Sequence, residues 1–130
     1  MSFDWSEYLN VARQLLAYGT GPQSGEGGLR SAVSRAYYGA FCTARNHLRD
    51  KESLVIPRGR NVHMWVRDQF QNSRDPVRKD IGSTLNRLRE ARNKADYRDV
   101  IQGWRDMAMK ALAEAEETIE VLASLNQSPK

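Results

Sequence analysis

Apolar residues return every three or four positions along almost the whole of this chain, and no segment sustains the period-two alternation of a half-buried strand. The clearest stripe is Leu29, Val33, Ala36, Tyr37, Ala40, Phe41, Ala44 and Leu48, one face of a helix of about six turns. A helix marked in this way must bury its stripe against other helices, so the fold class is all-α. The chain's 130 residues are enough to enclose a real core and are the usual size of one unit. The expectation is a single domain over residues 1–130 with its core between about 5 and 125.

Five helices follow from stripes and end signals. The first spans 5–18, with Asp4 as N-cap, Glu7 three residues on, and Trp5, Tyr8, Leu9, Ala12, Leu15 and Leu16 on one face. A connection over 19–28, holding Gly19, Gly21, Gly25, Gly27 and Gly28, reads as flexible. The second helix covers 29–50. Asn61 is placed to cap a third over 62–72, and Asp75-Pro76 opens a fourth that runs to 97 with Val77, Ile81, Leu85, Leu88 and Ala95 inward. A fifth spans 102–125, leaving a frayed tail over 126–130. Gly82 costs the fourth helix about 1 kcal/mol relative to alanine, which marks a place where another element comes close.

Several classes of function drop out. No apolar run approaches the roughly 18–20 residues that a membrane span needs. The opening Met-Ser-Phe-Asp-Trp-Ser-Glu lacks the basic and apolar regions of a secretory signal, so a cytoplasmic location is expected. Cys42 is the only cysteine, and His47 and His63 are the only histidines; no metal site and no cofactor are expected. The glycines of 19–28 lack the Gly-Lys-Ser/Thr and preceding strand of a phosphate-cradling loop. The net charge of +4 is unevenly spread: from Arg30 to Arg98 there are 16 Lys/Arg against 7 Asp/Glu, while Ala111 to Lys130 carries four Glu against Lys130 alone. The middle of the chain suits a polyanion, or is simply a well-solvated basic face.

Arg92 follows Leu88 by four and Leu85 by seven, so it falls on or beside the inward row of its helix and needs a partner; Asp96 stands one turn on. On the second helix Ser31, Arg35, Tyr38, Cys42, Arg45 and Arg49 form a polar row beside the apolar one. If these two helices pack together, Arg35, Tyr38, Arg92, Asp96 and Tyr97 converge, either as a satisfied internal network or as a site. Pro57-Arg58-Gly59-Arg60 adds a basic turn. Tyr38, off the core row, is the tyrosine free to stack on a base.

Ser34-Arg-Ala-Tyr-Tyr-Gly-Ala-Phe41, His63 with Phe70 seven residues on, and Leu88-Arg-Glu-Ala-Arg-Asn-Lys-Ala-Asp-Tyr97 together resemble the HEPN domain, in particular its small stand-alone bacterial and archaeal branch. The resemblance covers roughly Trp5 to Leu125. It implies a four- to five-helix up-and-down bundle that commonly forms homodimers, encoded beside a minimal nucleotidyltransferase in toxin-antitoxin or defence systems. Catalytic members are metal-independent ribonucleases with an Arg-x4-6-His motif. Here Arg92 and Asn93 match its start, but Tyr97 stands where the histidine would be. Proton exchange near neutral pH suits histidine, with an ordinary pKa of about 6.5, far better than tyrosine at about 10.

Three readings stand on this sequence. In the first, the chain binds RNA or a nucleotide, or partners a nucleotidyltransferase, without turnover, through Arg35, Tyr38, Arg45, Arg58, Arg60, Arg92 and Asp96. In the second, it is a ribonuclease toxin in which Arg92 stabilises the scissile phosphate and Tyr97, or a histidine from elsewhere, moves the proton. In the third, it is a helical adaptor whose basic face keeps it in solution. His63 either packs and caps the third helix or takes part in catalysis.

Overall fold

The computed structural model describes residues 3–17 and 25–127, the last two by backbone alone. Within them lie five helices and no strand: α1 (Glu7–Ala17), α2 (Glu26–Asp50), α3 (Val62–Gln71), α4 (Pro76–Tyr97) and α5 (Trp104–Gln127). The chain is all-α, a five-helix bundle. No helix among the described residues is long and apolar enough to cross a membrane.

α2 is the central element, in contact with each of the other four helices. Its expected stripe is buried throughout and meets Leu9 and Ala12 of α1, Val66 and Phe70 of α3, Leu85 and Leu88 of α4, and Ala108, Ala111, Ala115 and Leu122 of α5 in one core. Alanines dominate the α2 and α5 faces, so the two longest helices approach closely while larger side chains fill the flanks. α3 rests mainly on α4, and α1 bridges α2 and α5.

The helix ends depart from the sequence reading in instructive places. α2 begins at Glu26, three residues inside the stretch expected to be a loop, and Gly25 precedes it in extended backbone. Residues 19–24 of that stretch lie outside the described residues, as do 128–130 of the tail. α5 starts two residues later and ends two later than expected. Asp75 caps α4 as its sequence implies, its carboxylate accepting from the Val77 N–H at 3.1 Å, with Pro76 in the first turn. Asn61 precedes α3 without capping it through its side chain. Asp4 holds the chain entering α1 by accepting from the Ser6 N–H at 3.0 Å and the Ser6 hydroxyl at 2.6 Å, and regular helix begins only at Glu7. Val77, placed in the inward stripe of α4 by its spacing, is 46% exposed, because the first turn of that helix projects past the core.

Candidate functional site

The polar row of α2 forms the floor of a cleft. Ser31, Ser34, Arg35, Tyr38, Cys42 and Arg45 line it, with Arg30 and Phe41 beside them. Trp5 and Tyr8 make one wall; Val62 and His63 from the start of α3 and Asp96 from the end of α4 make the other, around a volume of about 650 Å³. From Ser31 to Arg45 the floor rises through fourteen residues, about 21 Å of helix.

Two local devices bring the walls in. Gly39 lets the entry to α1 lie against α2: a Cβ there would stand 3.0 Å from Leu9 Cδ2 and 3.3 Å from the Trp5 carbonyl oxygen. Arg30 anchors the end of α4, donating to the Ala95 carbonyl at 2.9 Å and the Asp99 carbonyl at 3.2 Å while its guanidinium lies 4.3 Å from the Trp104 ring centroid. Those carbonyls sit where a helix runs out of intrahelical donors, so one side chain ties α2, α4 and the start of α5 together.

Arg92 stands behind this wall and does not line the cleft. Its side chain is 14% exposed. One terminal nitrogen donates to the Tyr38 hydroxyl at 2.9 Å, and the other lies 3.5 Å from the Asp96 carboxylate. The guanidinium carbon sits 5.7 Å and 5.2 Å from the ring centroids of Tyr37 and Tyr38, and the Nε–H is buried without an acceptor. Two consequences follow. Asp96 is neutralised where it faces the cleft, and the Tyr38 oxygen, already accepting from Arg92, has its own proton left to donate.

Tyr37 and His63 form the layer beneath. The Tyr37 hydroxyl is hydrogen-bonded to His63 Nδ1, and the imidazole stacks on Phe41 at 4.3 Å between centroids. Burial, then the nearby Arg89 and Arg92, push the His63 pKa down. Burial pushes the Tyr37 pKa up, with the same two arginines opposing. Both shifts favour a neutral pair, to which we assign the Tyr37 O–H as donor at Nδ1 and the imidazole proton on Nε2. His63 therefore packs α3 onto α2 while its ring also lines the cleft. Burial likewise raises the Cys42 thiol, Arg45 opposing, and keeps it a protonated, unreactive group.

Of the residues singled out from sequence, the cleft gathers Arg35, Tyr38, Arg45 and Asp96, with Arg92 holding two of them from behind. Tyr97 is 76% exposed and stands apart from the cleft lining. Arg58 and Arg60 lie on the exposed turn before α3, also outside the lining. Trp5, Tyr8 and Arg30 were missed. The first two read as members of the inward face of α1, and nothing in the local pattern of Arg30 announces the helix end it reaches, 65 residues away. No group of three or more His, Cys, Asp or Glu among the described residues is placed to hold a metal ion.

The family model described as the HEPN domain matches residues 6–125. No curated protein and no solved structure matches the chain. A match of that extent, over a bundle whose α2 and α4 carry the Ser34–Phe41 and Leu88–Tyr97 segments side by side, places this chain in the HEPN family.

Proposed function

We propose that the chain binds a phosphate-bearing ligand, single-stranded RNA or a nucleotide, in the α2 cleft and does not cleave it. The observation that carries this reading is the Arg92–Tyr38 hydrogen bond, which turns the Tyr38 O–H into a donor inside a cleft whose floor carries Arg35 and Arg45. Arg35, Arg45, the His63 Nε2–H and the hydroxyls of Ser31 and Ser34 supply the remaining donors, and charge-assisted bonds to an anion are the strong kind. Arg92 acts here as a positioning residue. HEPN domains commonly serve nucleic-acid-related toxin or defence roles, and within that setting the chain would act as a homodimer and as the partner of a minimal nucleotidyltransferase.

One observation favours the ribonuclease reading: His63 and Arg92 both lie against the rings of Tyr37 and Tyr38, which brings a histidine near the arginine although Tyr97 occupies the motif position. Against it, Arg92 is screened from the cleft behind Tyr38 and Asp96, and the Nδ1 of His63 is already occupied by Tyr37. Labelled single-stranded RNA, incubated with the protein in EDTA, separates the two readings. The expected result is bound, intact RNA, with Tyr38→Phe weakening binding roughly tenfold, the loss of one hydrogen bond to a charged group. Degradation abolished by Arg92→Ala in a folded protein would replace the binding reading with the nuclease one, and no binding at low salt would remove it.

A further inference from the structure

We propose that the α1 end of the cleft is a nucleobase subsite, in which Trp5 and Tyr8, faced by Arg45 and Arg35, receive the base of a nucleotide whose phosphate lies against Tyr38. This rests on the phosphate reading above and adds the other half of the ligand.

The chain entering α1 carries an aromatic cluster: Phe3 and Trp5 meet edge to face at 4.9 Å, Trp5 and Tyr8 at 5.1 Å, and Phe3 and Tyr8 at 6.0 Å. Of these rings, Trp5 and Tyr8 line the cleft. Each has an α2 arginine over it, Arg45 at 5.6 Å from the Trp5 ring and Arg35 at 4.8 Å from the Tyr8 ring. Bases stack on aromatic side chains and on arginine planes alike, so this end of the cleft offers both kinds of platform.

A plain latch of α1 onto α2 does not call for such a cluster. Leu9, Ala12 and Leu16 already bury the α1 face, and Gly39 admits the close approach. With the rings half-buried and Arg35 exposed, the two cation–π contacts add only modestly to the fold. The lining also divides by chemistry. Trp5 and Tyr8 offer ring surface, whereas the hydroxyls of Tyr38, Ser31 and Ser34 offer donors. At about 650 Å³ the cleft far exceeds what a phosphate group fills and falls in the range of sites for small organic ligands.

The test compares adenosine 5′-monophosphate with ribose 5-phosphate by calorimetry at low salt, the two probes sharing sugar and phosphate and differing in the base. Wild type is expected to prefer the nucleotide by roughly 5- to 150-fold, the usual worth of stacking one base. Trp5→Leu and Tyr8→Leu are each expected to shrink that preference severalfold or more while leaving ribose 5-phosphate affinity nearly unchanged. Saturation-transfer NMR on wild type, which needs no variant, should place the strongest transfer on the base protons. Equal affinity for both probes, or transfer confined to the ribose, would overturn the base subsite and leave the phosphate reading standing. Variants that weaken both probes alike would overturn it in favour of a structural latch. Failure of wild type to bind either probe would overturn the phosphate reading, and this inference with it.

Discussion

A methyl group added at Gly82 has no room: its carbon would stand 2.6 Å from the backbone nitrogen of Gln71 and 2.8 Å from that residue's Cα, at the end of α3. Alanine ordinarily stabilises a helix interior by about 1 kcal/mol over glycine. Backbone cannot swing aside as a side-chain end can, and overpacking costs about 1–3 kcal/mol, so the clash wins. Gly82→Ala should therefore lower the midpoint of urea unfolding with little change in slope, by up to about 2 kcal/mol in stability; a variant as stable as wild type would mean that α3 can back away. The sequence exposed the need for a close neighbour at Gly82 but not its identity, because an apolar stripe says which face is buried and not which helix covers it. His63 gives a second residue-scale expectation. Its folded pKa is depressed, so the unfolded chain binds the proton more readily, and stability should fall as pH drops below about 6.5 and level off once the folded form is also protonated. Urea midpoints at pH 7.5 and 5.5 measure that slope, and His63→Gln should flatten it.

At the scale of elements, Glu52 ties the segment between α2 and α3 to its neighbours. Glu52 accepts from both terminal nitrogens of Arg78 on α4 and from His47 Nε2 on α2 at 2.9 Å, while Arg78 also donates to the Gln69 carbonyl of α3 at 3.3 Å and lies over the Phe70 ring. Burial works against the charge on Glu52, but the bonds and charges of Arg78 and His47 more than offset it and hold the carboxyl below its ordinary range. Its contribution is thus complete at neutral pH and is lost in acid, as pH falls through the folded pKa. Glu52→Gln leaves Arg78 without its counter-charge and should cost about 1–3 kcal/mol in urea or thermal unfolding at pH 7; an unaffected midpoint would show the clamp to be dispensable. None of this was legible beforehand, since Arg78 lies 26 residues from Glu52, on α4. What was legible was local: Asp75-Pro76 fixed the start of α4, because the cap acts within two residues. Where the reading slipped, at Glu26–Gly28, tertiary cover overrode propensity. The glycines argue for a loop, yet Leu29 and Arg30 are held by the core and by the end of α4, and the helix extends back from them.

For the whole molecule, the uneven charge has a measurable consequence. The basic stretch from Arg30 to Arg98 contains the cleft arginines, and the acidic run of Glu114, Glu116, Glu117 and Glu120 lies on α5. If Arg35 and Arg45 each neutralise one phosphate, log affinity for single-stranded RNA should fall against log salt with a slope of about −1.4, and Arg35→Ala or Arg45→Ala should each remove about 0.7 of it. A slope near zero would show that phosphate contacts do not drive binding. The α2 row of this cleft could be read from spacing alone, whereas its α1 wall could not, because Trp5 and Tyr8 obey the same periodicity as residues that are simply buried. The bond from Tyr37 to His63 joins the deepest aromatic layer of the bundle to the cleft, and it makes the imidazole a built-in reporter. A ligand that takes the Nε2–H, or pries Tyr37 from Nδ1, changes the hydrogen bonding of one nitrogen and not the other. The two ring-nitrogen resonances of His63 can therefore announce both that the cleft is filled and which side of the ring has felt it.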